Sequence, residues 1–259
     1  MTTSTTTLPA RRPGIGSWLM LIRCEAKMVA RDTAGLVVPI GLPLLILVMN
    51  ASMAADEEVV AGRSALDIYV LPIVFTIVIA TIGVINMPSF LATYRKTGVL
   101  RRLAVTPAHP AMVLIAQVVV SLLQAIVGIT LAFGVALVFF DATLPMHAGA
   151  ALGVVALTIA AMYALGMVVA AVAPTPNAAL AFGLVGFFAL GALGGMFGGQ
   201  DSLPDTLARL GEWLPFGAAV DALSHAWMGE SVDASNILVL IAFTVVGGLV
   251  AALFFRWDR

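Results

Sequence analysis

The chain has 259 residues, 61% of them hydrophobic and 10% charged, with a formal net charge of −1 and a mean hydropathy of +1.07. A water-soluble fold of this length has too little interior to hide so much apolar side chain, so the composition excludes a soluble globular protein and predicts an all-α polytopic membrane protein. The charge balance gives no reason to expect nucleic acid as a partner, and the single cysteine, Cys24, allows no internal disulfide.

Residues 1–13 are Thr-rich and polar and read as a disordered tail. From 14 to 259 the chain reads as one six-span domain. It opens with an amphipathic helix over 14–32, on which Ile15, Trp18, Leu19, Ile22 and Val29 share one face and Arg23, Lys27 and Arg31 step by four along another. That pattern suits a helix lying in the membrane interface. Six uncharged stretches follow, roughly 34–53, 68–92, 110–139, 147–172, 178–199 and 235–255, each long enough to cross a bilayer. The third exceeds the ~20 residues a crossing needs and must tilt or protrude. Pro174 and Pro176 separate the fourth from the fifth. Between the fifth and sixth, residues 200–234 form an outer segment with two short helices, Pro204–Trp213 and Phe216–Met228, split by Leu214-Pro215. Their apolar residues Leu207, Leu210, Val220, Leu223 and Trp227 suggest that both lie against the membrane or dip into it.

Six spans bring both termini to one side. That side holds 11 of the 13 Lys and Arg residues, whereas 11 of the 14 acids fall on the other. Basic flanks mark the cytoplasmic face, so the termini are expected there. Four of the cations, Arg95, Lys96, Arg101 and Arg102, lie in a basic island, Tyr94–Pro110, between the second and third spans. A short helix there would put Val99, Leu100 and Leu103 on one side and most of the charge elsewhere. The island could lie on a membrane surface or enter a partner's groove, or serve only as a topology signal.

No Lys, Arg, Asp or Glu falls inside the six stretches as bounded above, which speaks against a proton-coupled carrier. No Gly-Lys pair of a phosphate-binding loop occurs, so the chain is not expected to bind nucleotide itself. Asp221 and His225, one turn apart, have the only zinc-like spacing, and the pattern is too common on helices to predict a metal site. The polar residues within or at the ends of the spans are mild. Gln117, Ser121 and Gln124 share one face of the third span, Asn50 and Asn86 lie at the ends of the first two, and Tyr163 sits inside the fourth. They could line a substrate path or join helices by hydrogen bonds. Gly191, Gly195 and Gly199 step by four at the end of the fifth stretch, a spacing that lets two helix backbones approach, within the chain or between chains.

Arg95, Gly98, Leu100, Arg102-Leu103 and Thr106-Pro107, followed far downstream by Leu214-Pro215 and Val220-Asp221-Ala222-Leu223, resemble the two markers of type-2 ATP-binding-cassette exporter permeases, the class of daunorubicin-resistance and nodulation permeases. The order of elements resembles that family along nearly the whole chain. The resemblance implies that residues 95–107 form a coupling helix docking in a cleft of a separate cytoplasmic ATPase. Arg95, Lys96, Gly98, Leu100, Arg101, Arg102, Leu103, Thr106 and Pro107 would then be contact residues, with Arg101 and Arg102 pairing ionically. Lys96 stands where the family commonly has an acid, which alters the charge pattern of that contact. The resemblance further implies two ATPase copies carrying ATP and Mg, and a second permease chain, identical or not, with Gly191, Gly195 and Gly199 as interface candidates. It also implies export of a hydrophobic or amphipathic solute across the plasma membrane. A permease for lipid-linked polysaccharide or lipid is the alternative within that architecture, and an ion-coupled carrier or a non-transporting scaffold the alternative outside it.

Overall fold

The computed structural model describes residues 14–54, 58–60, 62–98, 111–199 and 203–254. The predicted tail 1–13, and Leu100 to Pro107 of the basic island, lie outside them. The chain opens with α1 (Ile15–Arg31) and turns at Asp32 into α2 (Thr33–Ala54), the first span. A small hairpin, β1 (Glu58–Val60) with β2 (Arg63–Ser64), leads to the second span. This span, Leu66–Lys96, is a composite: π-helical Leu66–Val70, α3 (Leu71–Ala80), π-helical Thr81–Asn86 and α4 (Met87–Lys96). Spans three to five are α5 (Ala111–Phe139), α6 (Ala148–Val172) and α7 (Pro176–Leu193). Two short helices, α8 (Asp205–Glu212) and α9 (Pro215–Met228), precede the sixth span, α10 (Ala234–Phe254). All six spans are long and apolar enough to cross a membrane, so this is an all-α polytopic membrane protein.

The second span is the axis of the bundle. Of its apolar window 83% is buried inside the chain, against 22% for the fifth and sixth spans. Its irregularity follows from sequence. Pro88 offers no N–H to the Val84 carbonyl four residues back, and the turn before it widens to π geometry. The carbonyls of this stretch meet glycines of neighbouring spans: a Cβ on Gly166 would lie 1.9 Å from the Gly83 oxygen, and one on Gly183 2.5 Å from the Val84 oxygen. Only glycine permits those approaches. Thr76, Thr81 and Thr158 satisfy their buried hydroxyls on carbonyls one turn back, at 2.8 Å each, as a medium without water requires.

Toward the acidic end, Phe75, Phe133 and Trp227 form a triangle of edge-to-face rings with centroids 5.7–6.2 Å apart, each pair contributing about 1 kcal/mol beyond its buried area. Trp227 belongs to α9, the second of two short outer helices that exist almost as predicted. Its Leu223 and Trp227 are fully buried among the second, fourth and sixth spans. Its remaining lining of Ala218, Ala219, Ala222 and Ala226, all at 0% exposure, is small enough to let it sink into the bundle. Helix α8 keeps Leu207 and Leu210 exposed.

Candidate functional site

At the basic end, three elements converge on the last turn of the second span. The Arg95 guanidinium donates to the carbonyls of Ala170 (2.6 Å) and Ala173 (2.8 Å), closing the otherwise unsatisfied C-terminus of α6. Tyr94 donates to the Glu25 carboxylate of α1 and lies 3.4 Å from the Gln117 side-chain oxygen of the third span. Glu25 is buried, and that burial raises its pKa above the usual carboxylate range, with the Tyr94 hydrogen bond pulling the other way. Lys96 is exposed. Thr97 closes the helix on the Thr93 carbonyl, and Gly98, at φ +69°, turns the chain out of it, a left-handed step that glycine takes without strain. The basic island therefore leaves from a junction at which α1 and the second, third and fourth spans are tied together. Leu100, Arg101, Arg102, Leu103, Thr106 and Pro107 lie beyond the described residues.

The polar stripe is spent largely inside the bundle. Gln117, Ser121 and Gln124 are buried. Gln124 donates to the Gly35 carbonyl at 2.7 Å, and Asn86 donates to the same oxygen at 2.6 Å. Gly35 needs them because Pro39, its helical partner four residues on, has no N–H. Tyr163 packs its ring against Gly83 and has a buried hydroxyl with no hydrogen-bond partner among the described residues. Asn50 lines a cavity.

That cavity, about 640 Å³, lies at the acidic end between the first two spans, α9 and the Gly194–Gly199 turn, with Asn50, Tyr69, Ile73, Met196, Asp221 and Met228 among its walls. The predicted glycine ladder is not helical. Helix α7 ends at Leu193, and Gly195 and Gly199 follow at φ +87° and +82°. Their four-residue step therefore does not put them on one helix face. Gly191 stays in the helix, where a Cβ would stand 2.9 Å from the Met196 sulfur of the same chain, while Gly195 and Gly199 line the cavity. A smaller cavity of about 350 Å³ lies across Asp221, lined also by Glu212, His225, Asp233 and Asn236.

Beside these cavities is a clamp. The Asp67 carboxylate, 1% exposed, accepts from the Thr143 N–H at 2.8 Å and its hydroxyl at 2.7 Å. Arg63 donates to the Thr143 hydroxyl oxygen and the Leu144 carbonyl, and the Trp227 indole to the Thr143 carbonyl. Asp67 thus stands in the buried first turn of a span that sequence reading starts one residue later.

The sequence from 17 to 228 matches the family model for the ABC-2 type transporter, which covers most of the chain. The chain belongs to the ABC-2 type transporter family. No curated protein matches it. As an ABC-2 membrane domain it is a multi-pass permease subunit, a transport component and not a catalytic domain, and permeases of this family generally pair with an ABC ATPase subunit. Within this ABC-2 fold, sequence reading passed over Glu25 and Asp67. Glu25 carried a legible signal: Trp18, Ile22, Glu25 and Val29 follow steps of 4, 3 and 4, so the acid lies on an apolar stripe. Asp67 carried none, because its partner Thr143 is 76 residues away.

Proposed function

We propose that this chain is the permease of an ABC exporter that moves a hydrophobic or amphipathic small molecule out of the cell, driven by ATP hydrolysis in a separate subunit. The observation that carries this reading is the junction at Tyr94 and Arg95. It fastens α1 and the third and fourth spans to the turn from which the basic island departs, so a force on the island reaches several spans at once. The island, residues 95–107, is the coupling helix; Arg101 and Arg102 pair with acids of the ATPase, and ATP and Mg are held there. Two ATPases serve two permease chains in a plasma membrane, with the termini and the basic end cytoplasmic. A cavity of about 640 Å³ has the size of drug-like ligand sites and favours a small molecule over a polysaccharide.

Gentle purification of the tagged chain from its native membrane tests the pairing, with a stoichiometric Walker-loop protein as the expected companion. Changing Arg101→Glu together with Arg102→Glu tests the docking. The expected result is loss of solute-stimulated ATPase activity with normal membrane insertion, and normal coupling would overturn the assignment.

A further inference from the structure

We propose that the larger cavity at the acidic end recognises an amphipathic organic cation, and that Asp221 is the carboxylate that selects it. The inference deepens the export reading and rests on it for the site's place in transport. Among the described residues of the cavity wall Asp221 is the only charged one, and neither Lys nor Arg is among them. One of its oxygens accepts from Asn236 at 2.6 Å and lies 3.5 Å from the His225 ring. The other makes no hydrogen bond among the described residues, and the side chain is 47% exposed. A carboxylate oxygen is therefore available to a ligand.

The other polar side chains bring no positive charge. Asn50 spends one amide N–H on the Ile46 carbonyl at 2.8 Å and offers its own oxygen as an acceptor. Ser224 commits its hydrogen to the carbonyl of Ile68 or Val220. The side-chain donors that remain, the second Asn50 N–H and the Tyr69 hydroxyl, are both neutral. Across Asp221, Glu212 and Asp233 line the second cavity and add to the negative potential, which low-dielectric walls focus. The nearby Arg63 is engaged with Thr143 and Leu144.

The layout also orients an amphiphile. Ile46 and Ile73 stand more than one turn inside the first and second spans, whereas Asp221 is on α9, outside all six. An apolar body would lie toward the bilayer core with its positive head at Asp221.

Equilibrium dialysis of the purified full-length chain in detergent tests this with tetraphenylphosphonium and tetraphenylborate, ions of nearly equal shape and opposite charge. Saturable binding of the cation and none of the anion is expected. Asp221→Asn, which keeps an acceptor for Asn236, is expected to weaken cation binding by about tenfold or more, and Asp205→Asn on α8, outside the wall, to leave it unchanged. Equal binding of the two ions, or an unchanged affinity in Asp221→Asn, would overturn the proposal. Asn50→Asp gives an independent arm should the first variant fail to fold: a second wall carboxylate must tighten cation binding, and unchanged or weaker binding rejects the site. Dialysis needs no nucleotide, so cation binding without any ATPase companion would sink the export reading and leave the site. A recovered ATPase without charge selectivity would do the reverse.

Discussion

The two ends of the bundle solve opposite problems with similar groups. At the basic end, polar side chains are turned inward until little is left open: Arg95 covers the carbonyls of Ala170 and Ala173, and Tyr94 covers Glu25. At the acidic end, Asp67, Thr143, Arg63 and Trp227 form a tight clamp beside a cavity of about 640 Å³. One end is a closed junction suited to passing displacement between helices, and the other is a braced rim around an opening. The difference teaches that charge asymmetry in a membrane chain carries more than orientation, because the buried members of each set decide which end can deform.

The sharpest way to break this comparison is to remove the brace. Asp67→Ala strands the Thr143 N–H and leaves a buried gap where the carboxylate stood. Leaving a buried donor unmade costs about 1–3 kcal/mol, and losing bonds to a charged acceptor adds to it. The variant is expected to lose about 3 kcal/mol or more in thermal or denaturant unfolding of the purified protein, with the cavity rim loosened. Stability unchanged within about 0.5 kcal/mol would mean that the clamp is ornamental and the two ends are not differently built.

The basic end is better probed by pH, because its buried acid is poised differently from an exposed one. Burial raises the Glu25 pKa in the folded protein above its unfolded value of 4.5. The folded state therefore holds this proton more tightly than the unfolded state does. The resulting penalty is absent below pH 4.5, grows as the pH rises from there, and levels off once the folded-state group ionises. Glu25→Gln keeps an oxygen for the Tyr94 hydroxyl and removes the penalty. It is expected to melt above the wild type at neutral pH and to converge with it on acidification toward pH 4.5. A variant less stable than the wild type at every pH would reject the protonation argument. Tyr94→Phe removes one hydrogen bond and is expected to cost about 1 kcal/mol.

What sequence made legible, and what it did not, divides along the same physical line. The six spans, α1 and the α8–α9 pair follow from local apolar runs and prolines, and all appear within a few residues of where the sequence places them except the end of the fifth span, which stops at Leu193 instead of 199. The polar residues of the spans were found by type, with path-lining and helix-joining both open, since a glutamine on a helix face does not announce that Gly35, 89 positions away, will offer it an oxygen. The glycine spacing misled because it presumed a helix. Periodicity says nothing of where a helix stops, and Gly195 at φ +87° lies past the end. Asp221 was noticed for its spacing to His225 and as part of the second family marker, whereas its exposure to a cavity depends on α9 sinking into the bundle.

The smallest effect is also the most discriminating, because it separates helix-joining from path-lining at one oxygen. Gln124→Leu leaves the Gly35 carbonyl with Asn86 alone and is expected to cost about 0.5–1 kcal/mol, the usual scale of an interhelical hydrogen bond in membranes. If that cost arises because Pro39 withholds an N–H, Pro39→Ala supplies one, and the carbonyl no longer depends on the amides. The penalty of Gln124→Leu should then shrink in the Pro39→Ala background, a coupling that a double-mutant cycle reads directly. Equal penalties in both backgrounds would show that Gln124 contributes through packing alone. A change in solute selectivity without a change in stability would return Gln124 to the transport path, and with it the view that the opening runs through the bundle instead of ending at its acidic rim.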